Sequence, residues 1–314
     1  MPRAQLSSGD VTADRRADYA KMLDESGDPA AAAELMEQAL ELAPAWAAGW
    51  HQLGTYREKA KDAAGAAAAF ERVLALDPDD IFGARLKLAV LGATEMPDVP
   101  PSRYVERLFD DYADRFEKSL VEKLDYTVPQ KLAALISEAL AIPRHFRLAI
   151  DLGCGTGLLG PEIRASVDRL EGFDLSQNML AKADAKGVYD HLAQADLSLP
   201  PASSGVTGEG LVAHRADLIT AADVLMYLGN LESVFAIAGE LALPKAVFAF
   251  SVEDGGEGDG VQLRHSLRYA HSETYVRALC DRHGFGVVEL ARTTIRKDGG
   301  KPISGILFVT RKSP

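Results

Sequence analysis

One stretch limits what this chain can fold into more than any other: RLAIDLGCGTGLLG, residues 147–160. Leu148 to Leu152 reads as a buried strand, and Gly153, Gly155 and Gly157 follow at alternate positions before a helical stretch begins. Three missing side chains let the turn adopt φ > 0 and let a ligand come up against backbone amides at a helix start. A strand-to-helix turn of this kind belongs to open α/β sheets and suits a nucleotide-type ligand, although a glycine turn can also end a strand for structural reasons alone.

The surrounding pattern agrees with an α/β sheet. Short apolar runs at RLAIDL, RLEGFDL, ADLITAADV, KAVFAFSV, GVVELARTTI and ILFVT alternate with helical stretches, which predicts helices on both faces of a mainly parallel sheet. The KDGGKP segment, residues 297–302, suits a hairpin turn between the last two strands. Ahead of the sheet, Val105, Leu108, Phe109, Tyr112 and Phe116 share one helical stripe, and a second helix is expected over 129–140. The EDGGEGDG segment lacks calcium-loop spacing and reads as a mobile, solvated lid.

Upstream the period changes. Pro44 and Pro78 lie 34 residues apart, and each closes an Ala-rich helical pattern. Ala32 aligns with Ala66, Met36 with Phe70, Ala39 with Val73 and Leu40 with Leu74, while Tyr19 and Ala20 stand where Leu53 and Gly54 stand in the second copy. This resembles the tetratricopeptide repeat, with Arg57 where an aromatic is usual and Tyr56 beside it. Small residues at Ala32, Gly54 and Ala66 would let paired helices approach, with Trp50 and Phe70 filling the gaps, and residues 80–91 read as a final helix. The expected organisation is a flexible segment over 1–12, repeats with a capping helix over 13–92, a Pro-rich linker over 93–102 and the α/β domain over 103–314. The repeats fit either a partner-binding or self-associating surface or a structural cap.

With 34 basic against 46 acidic residues the net charge is −12, spread over both parts of the chain. That opposes docking on nucleic acid or anionic lipid. Cys154 and Cys280 are the only cysteines, no 18-residue apolar run occurs, and the first residues lack an apolar signal core. A soluble, cytoplasmic protein without a disulfide framework or structural metal is expected.

Asp151 separates two kinds of nucleotide site. A carboxylate at the mouth of the glycine turn is a liability against a pyrophosphate and an asset beside a cation. S-adenosylmethionine carries a sulfonium and an ammonium and no phosphate. From here the resemblance is to class I S-adenosylmethionine-dependent methyltransferases, over about 103–311, and the whole layout resembles a group of bacterial methyltransferases that contain tetratricopeptide repeats. The resemblance implies a Rossmann-like sheet whose last two strands form an antiparallel edge hairpin. It also implies that Asp151, Gly153, Gly155 and Gly157 hold the cofactor, that Asp174 with the following Leu175 meets the ribose, and that Met179, Asp196 and Leu197 meet the adenine. Met179 fits helix core equally, and Asp196 fits a loop cap.

At the end of the fourth strand, Ala222 and Asp223 are placed beside the reactive methyl, and Tyr112 on the leading helix is placed over the cofactor. Tyr227, Tyr269 and His271 are the candidate acceptor-side residues, each also consistent with ordinary packing or a helix staple. The strand end carries no Asn/Asp-Pro-Pro-aromatic signature of amino-group nucleic-acid methyltransferases. The expected reaction is in-line displacement on the sulfonium methyl by a small-molecule or protein acceptor. The alternatives are a repeat-based adaptor with a non-catalytic cofactor domain, or a nicotinamide-dependent oxidoreductase.

Overall fold

A computed structural model describes residues 7–123, 126–140, 145–208, 210–258 and 260–314, without the side chains of 112 and 114–123. Two compact units are present, residues 1–104 and residues 105–314.

The first unit is helical. α1 (Val11–Glu25), α2 (Pro29–Leu42), α3 (Ala47–Lys59) and α4 (Ala63–Leu76) pack in sequential pairs, followed by the short α5 (Ala84–Val90). Asp10, Asp28 and Asp62 each accept backbone N–H groups in the first turns of α1, α2 and α4, satisfying donors that a helix start leaves open. Pro44 and Pro78 each follow a helix end by two residues. The aligned Ala32, Ala66, Met36, Phe70, Ala39 and Val73 are all fully buried. A Cβ on Gly54 would lie 2.6 Å from the Phe70 ring, so the contact between α3 and α4 exists only because that side chain is absent. Two boundaries differ from the sequence expectation. The first helix starts at Val11, inside the segment expected to be flexible, because Asp10 caps it. The last starts at Ala84 and not at 80, because Asp80 and Gly83 take left-handed conformations and the Asp80 carboxylate accepts from the amides of Ala84 and Arg85. Tyr19 is 63% exposed, whereas its counterpart Leu53 is buried.

The second unit opens with α6 (Ser102–Lys123), which begins just ahead of it, and α7 (Val128–Ala139). The sheet follows. β1 (Phe146–Leu152), β2 (Val167–Asp174), β3 (His191–Gln194), β4 (Ala216–Ala221) and β5 (Ala242–Asp254) are parallel in the order β3-β2-β1-β4-β5. Two further strands form the short hairpin of β6 (Val261–Leu263) and β7 (Tyr269–His271), joined to the end of β5. β8 (Phe285–Asp298) and β9 (Lys301–Lys312) make the expected antiparallel hairpin, with β9 against β5. Its turn residues Gly299 and Gly300 both have φ > 0, the geometry a two-residue hairpin turn requires. The remaining helices are α8 (Gly160–Ile163), α9 (Gln177–Asp184), α10 (Pro201–Ser204), α11 (Glu232–Leu241) and α12 (Glu273–Arg282).

Strand alternation explains why both faces are covered. Ile150, Phe248 and Phe250 join the core containing α11 and α12, while their neighbours Ala149, Val247 and Ala249 join the core containing α7 and α8. The segment read as a lid, EDGGEGDG, begins inside the sheet, since its first two residues are the end of β5, and its last residue leads directly into β6. The three-residue strands β6 and β7 are too short to show as a periodicity, and only the pairing of β7 with β5 and of β6 with β7 fixes them.

Candidate functional site

The bend after β1 is held from several directions. The amides of Gly153 and Cys154 both donate to Phe173 O, at 2.7 and 3.0 Å, pinning the turn to β2. Gly153 has φ +67°, and a Cβ there would sit 2.3 Å from Val224 Cγ2. Gly155 has φ +56°, and a Cβ there would meet nothing within 4 Å. One glycine is thus demanded by packing, the other by backbone conformation beside open space.

Asp174, the last residue of β2, closes the bend from the far side. Its Oδ2 accepts from Gly155 N at 2.8 Å and its Oδ1 from Ser176 N at 2.9 Å. Asp151 accepts from Tyr189 Oη at 2.7 Å and from Thr220 Oγ1 at 2.8 Å. Among the described residues, neither carboxylate has a cationic side chain as a hydrogen-bond partner. Burial pushes both up to about 6, only partly offset by those hydrogen bonds, and the charge of Asp174 further raises Asp151. Two acids held this way form a receptacle for positive charge and for hydroxyl donors.

Both acids line a cleft of about 320 Å³, within the range of small-molecule sites. Thr156, at the bend, is buried, and its Oγ1 has no hydrogen-bond partner among the described residues. Such a hydroxyl in a cleft wall is a donor awaiting a ligand. A second group of lining residues gathers at the ends of β4 and β8. Asp223 has φ +55°, its amide donates to Ser251 Oγ at 2.8 Å, and its carboxylate accepts from Arg296 Nη1 at 2.9 Å. Arg296 also donates to Glu253, and the burial of Asp223 raises its own carboxyl, with the Arg296 charge acting against it. Tyr227 meets Phe109 edge to face at 4.9 Å, and burial raises the nearby Tyr126 phenol well above its ordinary value.

Of the residues expected from the sequence, Asp151, Gly153, Gly155, Asp174, Ala222, Asp223 and Tyr227 come together around this cleft. Gly157 packs on Tyr189, and Met179 lies fully buried in α9. Leu175 and Leu197 are not part of the lining, and Asp196 caps its own loop by accepting from Ser198 N and Oγ, at 2.9 and 2.6 Å. Tyr269 and His271 are fully buried in β7 and do not line the cleft. The two alternate-numbered residues are held there by strand pairing, and His271 Nε2 lies 2.9 and 3.0 Å from Leu228 O and Gly229 O. Burial lowers His271 to about 4, so its ring is neutral. The side chain of Tyr112 lies outside the described residues.

Sequence reasoning missed Thr156, Tyr126, Arg268 and Arg296 as lining residues. Arg296 follows fully buried Ile295 and is itself only 3% exposed, a placement visible only in the folded strand. Consecutive burial marks a β-bulge, and the β8 to β9 register does shift between Thr294 and Arg296. Among the described residues, no cluster of His, Cys, Asp or Glu could hold a metal ion, and no helix is long and apolar enough to cross a membrane.

A largely parallel sheet with an antiparallel edge hairpin, and a glycine bend flanked by acids at two strand tips, defines the Rossmann-like methyltransferase class. The chain belongs to the methyltransferase domain family, an S-adenosylmethionine-dependent family that matches over residues 124–290. It is 31% identical over 120 residues to human methyltransferase-like protein 27, covering 38% of this chain and 47% of that protein, so the chain spans about half of that relative's length. Two solved structures share the fold. One is Burkholderia thailandensis 1,6-didemethyltoxoflavin-N1-methyltransferase with its substrate and S-adenosylhomocysteine bound, at TM-score 0.51 and 18% identity over 70% of this chain and 94% of that one. The other is the [4+2]-cyclase SpnF, at TM-score 0.53 and 14% identity over 70% of this chain and 99% of that one.

Proposed function

We propose that the second unit binds S-adenosylmethionine in the cleft at the glycine bend and transfers its methyl group to an acceptor presented from the Asp223 and Tyr227 side. The observation that carries this reading is the pair Asp151 and Asp174, both buried, with no basic side chain among the described residues hydrogen-bonded to either. When bound, the cofactor supplies a methyl already activated on a sulfonium. Asp174 keeps lone pairs for the ribose hydroxyls after accepting its two backbone amides, and Asp151 favours positive charge near the bend. Gly155 leaves room for the ligand, and Thr156 Oγ1 donates to it. Phe109, Tyr126 and Tyr227 line the walls and exclude water, so the residues of the cleft act by alignment and desolvation.

The first unit we read as two tetratricopeptide repeats with a capping helix, serving a partner or a second copy. The buried matches at Ala32 and Ala66 and at Met36 and Phe70 support this reading. A fold neighbour named as a cyclase shows that the fold leaves the reaction open, so turnover has to be measured. Calorimetry with S-adenosylmethionine and with NAD, followed by a labelled-methyl assay on cell extract, tests the proposal. Heat with NAD alone would end it, and cofactor binding without any labelled product would favour an adaptor.

A further inference from the structure

We infer that the acceptor is a small organic acid and that Arg268 holds its carboxylate. Two arginines line the cleft, and they differ in what remains unused. Arg296 is nearly fully buried, and both its terminal nitrogens are taken by Asp223 and Glu253. Arg268 donates Nε weakly to Tyr227 Oη at 3.4 Å and Nη1 to Asp298 Oδ2 at 3.1 Å, while Nη2 has no partner among the described residues. A guanidinium carries five donors arranged to meet a carboxylate two at a time.

The surroundings fix that side chain in place. Leu267 takes φ +60°, and Arg264 N donates to Arg268 O at 2.9 Å, so a tight turn between β6 and β7 delivers the side chain to the cleft. Its guanidinium carbon stands 5.9 Å from the centre of the Tyr227 ring. The side chain is 25% exposed, whereas its ion-pair partner Asp298 is 49% exposed at the β8 to β9 turn. A pair with so exposed a partner contributes little and yields readily to a ligand carboxylate. Leu108, Phe109 and Tyr227 supply apolar and aromatic wall beside it, which suits an acid with an apolar body. The acids at the bend take the cationic cofactor, and on the acceptor side, where the Asp223 carboxylate is already paired with Arg296, Arg268 is the cation left for a ligand carboxylate.

This inference rests on the cleft being the methyl-transfer site, and the experiment separates the two. The full chain is supplied with methyl-labelled S-adenosylmethionine and a small-molecule cell extract divided by anion exchange into retained and unretained pools. A portion of the retained pool is first amidated with carbodiimide and methylamine. Label is expected in the retained pool only and is lost on amidation. Arg268→Gln lowers labelling by about tenfold or more, as expected for lost charged hydrogen bonds. Arg268→Lys restores part of it, and S-adenosylhomocysteine affinity stays within about twofold in both variants. Label confined to the unretained pool, label that survives amidation, undiminished labelling by Arg268→Gln, or no labelled small molecule while S-adenosylhomocysteine binds would each overturn the inference. Failure of the wild-type chain to bind S-adenosylhomocysteine would instead overturn the reading of the cleft.

Discussion

Cofactor binding to this cleft should expel protons, by an amount that follows from the two buried acids. Asp151 and Asp174 titrate near 6, against an ordinary carboxyl value of 3.8. At pH 6 each is therefore about half protonated before binding. A bound cation and two donated ribose hydroxyls favour the ionised forms and draw both values back down. Complete return would release roughly one proton per ligand at pH 6 and almost none at pH 8. The shift of about two pH units corresponds to at most about 3 kcal/mol per group, which the unliganded protein bears at neutral pH and the ligand relieves. Below about pH 5 affinity should fall by up to two logarithmic units per pH unit, since two protons must then leave. The assay is titration calorimetry at pH 6 and pH 8 in buffers of different ionisation enthalpy. S-adenosylhomocysteine, which lacks the sulfonium charge, should release less, and Asp174→Asn should release about half as much and bind roughly tenfold to a hundredfold more weakly. Equal heats in all buffers at pH 6, with the ligand bound, would refute the electrostatic account of the site.

Other expectations are independent of that linkage. Gly153→Ala should lower the melting temperature substantially, because its Cβ would collide with Val224, whereas Gly155→Ala should carry only the left-handed backbone cost of about 1–2 kcal/mol and lose ligand affinity instead; equal melting losses would contradict the assignment. Arg296→Met leaves Asp223 and Glu253 buried without their cation and should destabilise by about 3–5 kcal/mol in denaturant titration, so a neutral result would show that the trio is not held as described. His271 has a folded-state value lowered to about 4, so the stability it supports is full above its ordinary 6.5 and is lost as pH falls through 4. The stability difference between wild type and His271→Asn should accordingly shrink by roughly 2 kcal/mol between pH 7.5 and pH 5, and a constant difference would contradict a buried neutral ring.

The parts of the site readable in the sequence are those whose function is local. A strand, an acid and alternate glycines within a few positions are enough to place Asp151, Gly153 and Gly155, because the backbone itself makes the turn. Asp174 was reachable because it ends a second apolar run and because Ser176 caps the next helix, accepting from Met179 N. Tyr269 and His271, read as acceptor-side candidates, lie away from the cleft for the opposite reason, since their burial follows from the pairing of β7 with β5 and β6, and three-residue strands such as β6 and β7 carry no local pattern of their own.

What the sequence by itself determined is therefore the order of the longer helices and strands, the glycine bend, its flanking acids and the 34-residue spacing, all of which depend on neighbours along the chain. Tertiary structure alone brought Arg268 and Arg296 to the cleft. Arg268 arrives from a turn 41 residues beyond Tyr227, and Arg296 reaches Asp223 across 73 residues through a bulge in a strand that runs antiparallel to its neighbour. Such contacts are set by register and by which face of the sheet a residue occupies, and one residue's slip reverses that face. The placing of these two arginines at the cleft is for that reason a property of the folded sheet and has no counterpart as a motif.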